Sequence, residues 1–491
     1  MSQLDSIHHN IGTDLEVDQD VRDGSEVQKF YAGKTIFITG ATGFMGKCLV
    51  EKLLRSCPDV KHIYLLVRER KGVSPEDRLK KYFQIKIFSK LMEVNPNFMQ
   101  KVTTIKGDLN LERCGISDED MDILQKETNI IYHAAANVTF TAKVADSLRV
   151  NVLATKSILE LAQNCQKLEN FIYLSTAYSH CYMKCIEDEL YEPPGDLALV
   201  NKMIEIDDRI GINETSLPEY IGKYPNIYTF SKAIAEELVR QYSRKAKHAC
   251  GIYRPSIVNA TYREPVSGWH DGLTGALMIG IVYGLGILHV AKHKCYPMDF
   301  VPCDMSINIL IALTKDLQEK WQKLHEREAI VYNYGSSCVN PVNFKQMVHA
   351  VRSIDGTMRS RYAVCMNFVF FTSSEWAFWI LDKIFHMIPA CIADIALLAT
   401  GRKPRALEIY NKIQKHMDKI DYWGNGNWRI HIRNSLRVID QLNSTDRELF
   451  FCDLRKIDWD EFTLCAWKGG PLIVTIGIQN VIVVTDIVSA K

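Results

Sequence analysis

Two stretches of this 491-residue chain carry side chains suited to moving a proton. In Y-T-F-S-K, Tyr228 and Lys232 stand four residues apart, so on a helix they share one face. Pro225 and Asn226, just upstream, suit a helix start. A phenol titrates near about 10, and a neighbouring ammonium favours phenolate, so the pair is expected to exchange a proton near neutral pH. In L-S-T-A-Y, Ser175 and Thr176 close a predicted strand, where a hydroxyl would polarise a carbonyl and steady developing oxyanion charge. Thr176 is the preferred hydroxyl and Ser175 stays open, because spacing does not fix which one points at a substrate. A Tyr-x-x-x-Lys pair alone is a common pattern on exposed helices. The hydroxyl-bearing strand end before it and Y-R-P-S (Tyr253–Ser256) after it, in that chain order, read as a site.

A third stretch suits an anion. T-G-A-T-G-F-M-G, Thr39 to Gly46, follows one predicted strand (34–39) and opens a predicted helix (44–56). Gly40, Gly43 and Gly46 permit a tight turn and let backbone amides approach a pyrophosphate at the helix start; Thr42, Phe44 and Met45 share that loop. The next strand ends in L-L-V-R-E-R-K. An acid there would read a free 2′-hydroxyl; Arg68, with Arg70 and Lys71, suits a 2′-phosphate instead, so NADPH is the expected cofactor. Glu69 keeps NADH open. Asp108, followed by Leu109, is placed to accept from an adenine amine. Ala135, among the small residues ending the fourth strand, leaves room for the cofactor. Lys232 would hold the nicotinamide ribose, and Pro255 and Ser256 complete the expected lining.

Short apolar runs alternate with amphipathic stretches from residue 34, the pattern of an α/β fold with a doubly wound parallel sheet. Residues 256–345 are less regular and richer in Gly and Pro, as a substrate lobe would be. The expected organisation is a polar extension (1–28), a Rossmann reductase domain (29–355), a smaller, mostly helical C-terminal domain (356–468) and an apolar tail (469–491). With 47% hydrophobic and 24% charged residues the chain is not disordered. A net charge of +1 gives nucleic acid no long-range attraction. Fourteen cysteines without a C-x-x-C pair read as reduced thiols, with no metal site expected.

Two segments suit a membrane surface. Residues 376–399 are strongly apolar but interrupted by Asp382, Lys383, His386 and Asp394, with Pro389 set to kink the helix; this fits an interfacial or buried helix better than a span. Arg402, Lys403 and Arg405 follow, as beside anionic headgroups. Residues 471–488 are near the lower length limit for a span. Membrane association is expected, at the cytosolic face of the endoplasmic reticulum or, alternatively, the peroxisome, although the chain's Ser-Ala-Lys ending is not the S-K-L address.

Taken jointly, these motifs resemble an extended short-chain dehydrogenase/reductase. More narrowly, F-I-T-G-A-T-G-F-M-G-K, L-V-R-x-x-K-G, L-S-T-A-Y, P-N-x-Y-T-x-S-K, R-P-S-I-V (254–258), E-P-V-x-G-W-x-D (264–271), G-R-K-P near Gly401 and D-W-D-E-F near Asp458 resemble the alcohol-forming fatty acyl-CoA reductases, closest to their insect branch. The resemblance spans about residues 28–465. It implies NADPH-dependent reduction of a long-chain acyl-CoA through an aldehyde to the alcohol, with Tyr228 as proton donor and no acyl-enzyme. Rival readings are a sterol-type reductase, a non-catalytic NADP-binding scaffold, or aldehyde-forming reduction through a cysteine thioester, for which Cys181 is the candidate.

Overall fold

The computed structural model describes residues 24–139, 142–272, 283, 286–353, 366 and 368–467. Its centre is a seven-stranded sheet: β1 Thr35–Thr39, β2 His62–Val67, β3 Val102–Lys106, β4 Ile130–His133, β5 Asn170–Leu174, β6 Ala249–Pro255 and β7 Ile330–Tyr334. The order across the sheet is β7-β6-β5-β4-β1-β2-β3 and every pairing is parallel. Strands such as Thr35–Thr39 and Asn170–Leu174 are buried along their whole length, because helices cover both faces. The order reverses between β1 and β4, which opens a crevice at the strands' C-terminal ends, where doubly wound sheets bind ligands.

Helix α1 (Phe44–Ser56) leaves β1 through the glycine loop. Helix α2 (Ile227–Ser243) carries the Tyr–Lys pair; the Asn226 side chain caps it by accepting from the Thr229 amide at 3.0 Å. Helix α3 (Cys303–Trp321) packs against α1 across Cys48 and Cys303. After β2 come the helix Pro75–Phe83, a 3₁₀ turn and the helix Ser89–Val94; the helical stretch Val144–Asn164 is continuous but holds a π-turn at Arg149–Leu153.

The C-terminal region divides by packing. Helices α4 (Glu375–Asp382), α5 (Ile388–Ala399) and α6 (Ala406–Gly424) form an outlying layer, with Met417 against a small cluster that includes Leu288, Ala291 and Val348. From Trp428 onward the chain returns to the sheet. Ile430, Val438 on α7 (Arg433–Gln441), Phe450, Leu454 and Phe462 are buried in the same core as β1 and β5. The helical region expected over 356–468 thus shares part of its core with the reductase domain.

Among the described residues no helix is long and apolar enough to cross a membrane. The charges within 376–399 turn inward. Asp382 accepts from His386 Nδ1 (2.9 Å), the Tyr410 hydroxyl (2.7 Å) and Gln414 Nε2 (2.6 Å). Asp394 accepts from the Arg405, Ala406 and Leu407 amides at 2.7–3.0 Å and so caps α6. A π-turn, Lys383–Met387, precedes Pro389 and absorbs the expected kink. The outer face is left apolar, with Trp376, Trp379, Ile384, Ile388, Ile392 and Leu398 all exposed. The 471–488 segment and residues 1–23 lie outside the described residues.

Candidate active site

The glycine loop is built for close approach. Gly40 has φ +76°, and a Cβ there would stand 2.6 Å from the Ala135 nitrogen and 2.7 Å from the Ala134 carbonyl carbon. A Cβ on Gly46 would overlap the Gly40 oxygen. Both neighbours are backbone and have nowhere to go, so the loop lies directly on the end of β4 beside Ala135. The Tyr82 hydroxyl braces it from beneath by donating to the Ala41 carbonyl at 3.1 Å. Gly43 is the N-cap of α1 and supplies no capping side chain, and no acid sits in the first turn. The helix therefore presents open amides and its positive end to the crevice, as pyrophosphate requires. Phe44 stacks on His270 with centroids 4.7 Å apart, and Met45 packs beside it against the core. Thr42 lies half-buried in the turn.

Arg68, Asn110, Ala136, Asn137 and Arg149 line one open groove of about 670 Å³ beyond the strand ends. Asp108 Oδ1 accepts from the Asn110 amide (3.0 Å), fixing a turn beside half-buried Leu109, and Oδ2 lies 3.5 Å from Arg68. Arg78, not singled out in the sequence, donates to the Arg68 carbonyl. Burial first, then the charges of Arg70 and Arg68, lower its pKa. Three guanidiniums that feel one another favour an anion between them, which fits a 2′-phosphate. Arg78 sits on the following helix, so spacing gave no sign of it.

The proton-transfer groups meet at the end of β5. Thr176 interacts with the half-buried Tyr228 phenol. Burial pushes that phenol well above its ordinary range and the Thr176 hydroxyl pulls it partly back. The expected lowering by Lys232 is corrected here. Lys232 Nζ donates to the Leu174 carbonyl at 2.6 Å and sits 4.5 Å over the Tyr173 ring. Burial drives the amine down to about 7, against the opposing pull of Glu236. At neutral pH the phenol is protonated, the form that donates.

The structure separates the two hydroxyls. Ser175 Oγ donates to Glu236, whose carboxylate takes two bonds from fully buried Arg254, at 2.9 and 2.6 Å, and lies 3.4 Å from His180 Nε2. Burial works against the Glu236 charge, but Arg254 and His180 outweigh it and hold the carboxyl far below its usual range. Ser175 is thereby committed to a structural network, and Thr176 is the hydroxyl beside Tyr228. The Pro255 carbonyl accepts from the Ala177 amide (2.9 Å) and the Ser256 amide donates to Tyr334 (2.9 Å), so both residues border the Thr176 turn. Cys181 is fully buried and burial pushes its thiol up to about 11, which disarms it as a nucleophile.

The E-P-V-x-G-W-x-D segment clamps the cofactor helix. Glu264 takes Lys52 (2.6 Å), Arg55 (2.8 Å) and Asn308 (2.8 Å), and Asp271 pairs with Lys47. Away from the site, Cys185, Glu187 and His431 bring possible metal-ligand atoms within 4.8 Å of one another.

Sheet order, glycine cradle and the Thr176–Tyr228–Lys232 cluster define a Rossmann-type oxidoreductase that uses a nicotinamide dinucleotide. Two family models match, an NAD-binding domain over residues 38–310 and a Sterile domain over 385–472, both described as male sterility protein. Human fatty acyl-CoA reductase 1 is 35% identical over 440 residues, 89% of this chain and 84% of that protein. Human fatty acyl-CoA reductase 2 is 37% identical with the same coverage. The chain belongs to the fatty acyl-CoA reductase family. Its fold is also that of a reductase domain of a Mycobacterium tuberculosis nonribosomal peptide synthetase (TM-score 0.60, 15% identity, 93% of this chain and 96% of that one) and of the terminal R domain of the myxalamid pathway (0.59, 19%, 91% and 92%).

Proposed function

We propose that this chain reduces long-chain fatty acyl-CoA to fatty alcohol and free CoA with NADPH, at a membrane surface. The observation that carries the reading is the contact of Thr176 with Tyr228 just past the end of β5, the neighbour of the strand β4 on whose end the glycine loop lies. The cradle and α1 would hold the pyrophosphate, Arg68, Arg70 and Arg78 the 2′-phosphate, and Lys232 the nicotinamide ribose. Bound there, NADPH supplies hydride. Thr176 donates to the thioester oxygen and steadies the charge that builds on it; this term is worth about 10²–10³ in rate. Tyr228, held protonated by burial, delivers its proton to that oxygen and gives a thiohemiacetal. Loss of CoA leaves an aldehyde, which the same two hydroxyls carry through a second reduction. The exposed apolar face of α4 and α5, bordered by exposed Arg402 and Lys403, supports membrane association.

The test is palmitoyl-CoA with NADPH, products read by mass spectrometry. Fatty alcohol with two NADPH consumed per CoA released is expected. Tyr228→Phe should cut turnover by about 10²–10⁴ while NADPH still binds. Aldehyde as the sole product, or unchanged turnover in Tyr228→Phe, refutes the reading.

A further inference from the structure

A cavity of about 540 Å³ lies between α4, α6 and the strand Val290–Lys292, outside the site described above. Its inner wall is apolar and buried: Leu288, Val290, Ala291 and Met298 are at most 5% exposed. Its outer wall is Trp376 and Trp379, which are 78% and 57% exposed. Most polar groups of the lining pair with one another or with a neighbour, while His293 Nε2 is buried with no hydrogen-bond partner among the described residues. Lys292 pairs with Glu375 at 2.9 Å, Asn425 donates to Asp421 at 2.6 Å and Gln414 donates to Asp382 at 2.6 Å. Burial lowers the pKa of His293, so its imidazole is neutral at pH 7. The deep wall suits hydrocarbon, and the size of the space lies within the ~300–1,000 Å³ of small-molecule sites.

Both ends of the cavity have a context. At the inner end, Gly424 follows Trp423, whose ring lies 4.9 Å from that of Tyr178; the Tyr178 amide donates to Thr176 Oγ1 at 3.2 Å. One aromatic pair thus links the cavity wall to the reacting turn. At the outer end, the two indoles begin the exposed apolar face that continues through Ile384, Ile388 and Ile392. A water-soluble ligand has no use for a mouth opening on such a face. The methyl end of a long hydrocarbon chain does.

We infer that this cavity takes the acyl chain of the substrate, with the methyl end toward the Trp376–Trp379 mouth. The inference rests on the proposed reduction of an acyl-CoA and adds where the chain lies. Each methylene so buried is worth about fourfold in apparent affinity, so kcat/KM should rise with chain length until the cavity is full.

Two experiments on the full chain in phospholipid vesicles test it. Gly424 lines the cavity, and a Cβ on it would meet only the Met298 methyl, at 3.9 Å. Gly424→Leu should therefore project into empty space. It is expected to lower kcat/KM for palmitoyl-CoA at least tenfold, leave decanoyl-CoA within about twofold, and leave NADPH binding unchanged. An equal fall for both chain lengths, or no change for either, overturns the assignment. The second experiment uses the unmutated protein and palmitoyl-CoA bearing a diazirine on its terminal carbon. Crosslinks mapping to residues 375–379 or 414–425 support the cavity. Crosslinks confined to other segments overturn it, even with alcohol formation intact. Crosslinks at those segments without any reduction would instead refute the proposed chemistry and keep the site.

Discussion

Lys232, to which we assign the nicotinamide ribose, should destabilise the protein that carries it. Its side chain is 1% exposed, and burial takes its pKa from the ordinary 10.5 to about 7. A base whose folded pKa is depressed binds fewer protons folded than unfolded between those two values. Its cost to stability is therefore full below about pH 7 and fades as pH rises toward 10.5. At about 1.4 kcal/mol per pH unit the depression amounts to roughly 4 kcal/mol against folding at pH 7. Lys232→Met removes that cost but also strips the Leu174 carbonyl of its 2.6 Å partner, a loss of about 1–3 kcal/mol. The variant should be more stable than the parent by about 2 kcal/mol at pH 6.5. It should lose that advantage near pH 9 and be the less stable protein at pH 10. Urea midpoints of both cofactor-free proteins at pH 6.5, 8 and 10 measure this. A variant that is less stable by the same amount at every pH would refute the reasoning, since only the hydrogen bond would then matter. Catalysis should be lost throughout.

The two neighbouring hydroxyls should part company. Thr176→Val is expected to lower kcat by about 10² with little change in melting. Ser175→Ala should keep kcat within a few-fold but cost about 1–2 kcal/mol, because buried Glu236 loses a donor; the reverse pattern in steady-state kinetics and urea melts would invert the assignment. Arg68→Glu and Arg78→Ala should each weaken NADPH far more than NADH in fluorescence titrations, and equal losses would remove the 2′-phosphate role. Cys181→Ala should retain turnover, and its loss without a change in melting would revive the thioester route.

What the sequence made legible is what local pattern encodes. The strand run 34–39, the glycine spacing and the helix start at Asn226 depend on residues a few positions apart, and the structure places them as read. The choice between Ser175 and Thr176 was not legible, because it is decided by Glu236 and Arg254, whose contacts join positions 61 and 18 residues apart. Arg78 reaches the Arg68 carbonyl only because a helix folds back on the β2 exit. The apolar stretch 376–399 misleads by hydropathy alone. Its acids count as interruptions in sequence, yet Asp382 is met by Tyr410 and Gln414, 28 and 32 residues on, and the exposed side is left apolar. The titration of the Tyr–Lys pair was misread for a related reason. Spacing puts the two on one face but says nothing of burial, and burial dominates both groups.

The ties between the last described segment and earlier parts of the chain bear on how the molecule is made. Ser25 donates to Asp446, Lys52 to the Leu449 carbonyl, Asn308 to the Phe451 carbonyl and Tyr334 to the Cys452 carbonyl. A ribosome releases β1 and α1 hundreds of residues before these partners exist. Until then Lys52 lacks one of its acceptors and the groove that receives Phe450 and Phe462 stands open. The nucleotide-binding half must wait, partly assembled, for the rest of the chain, with apolar surface bare to whatever else is nearby. A nascent chain stalled after β7 should be a ward of chaperones, and the finished enzyme should close in one late step.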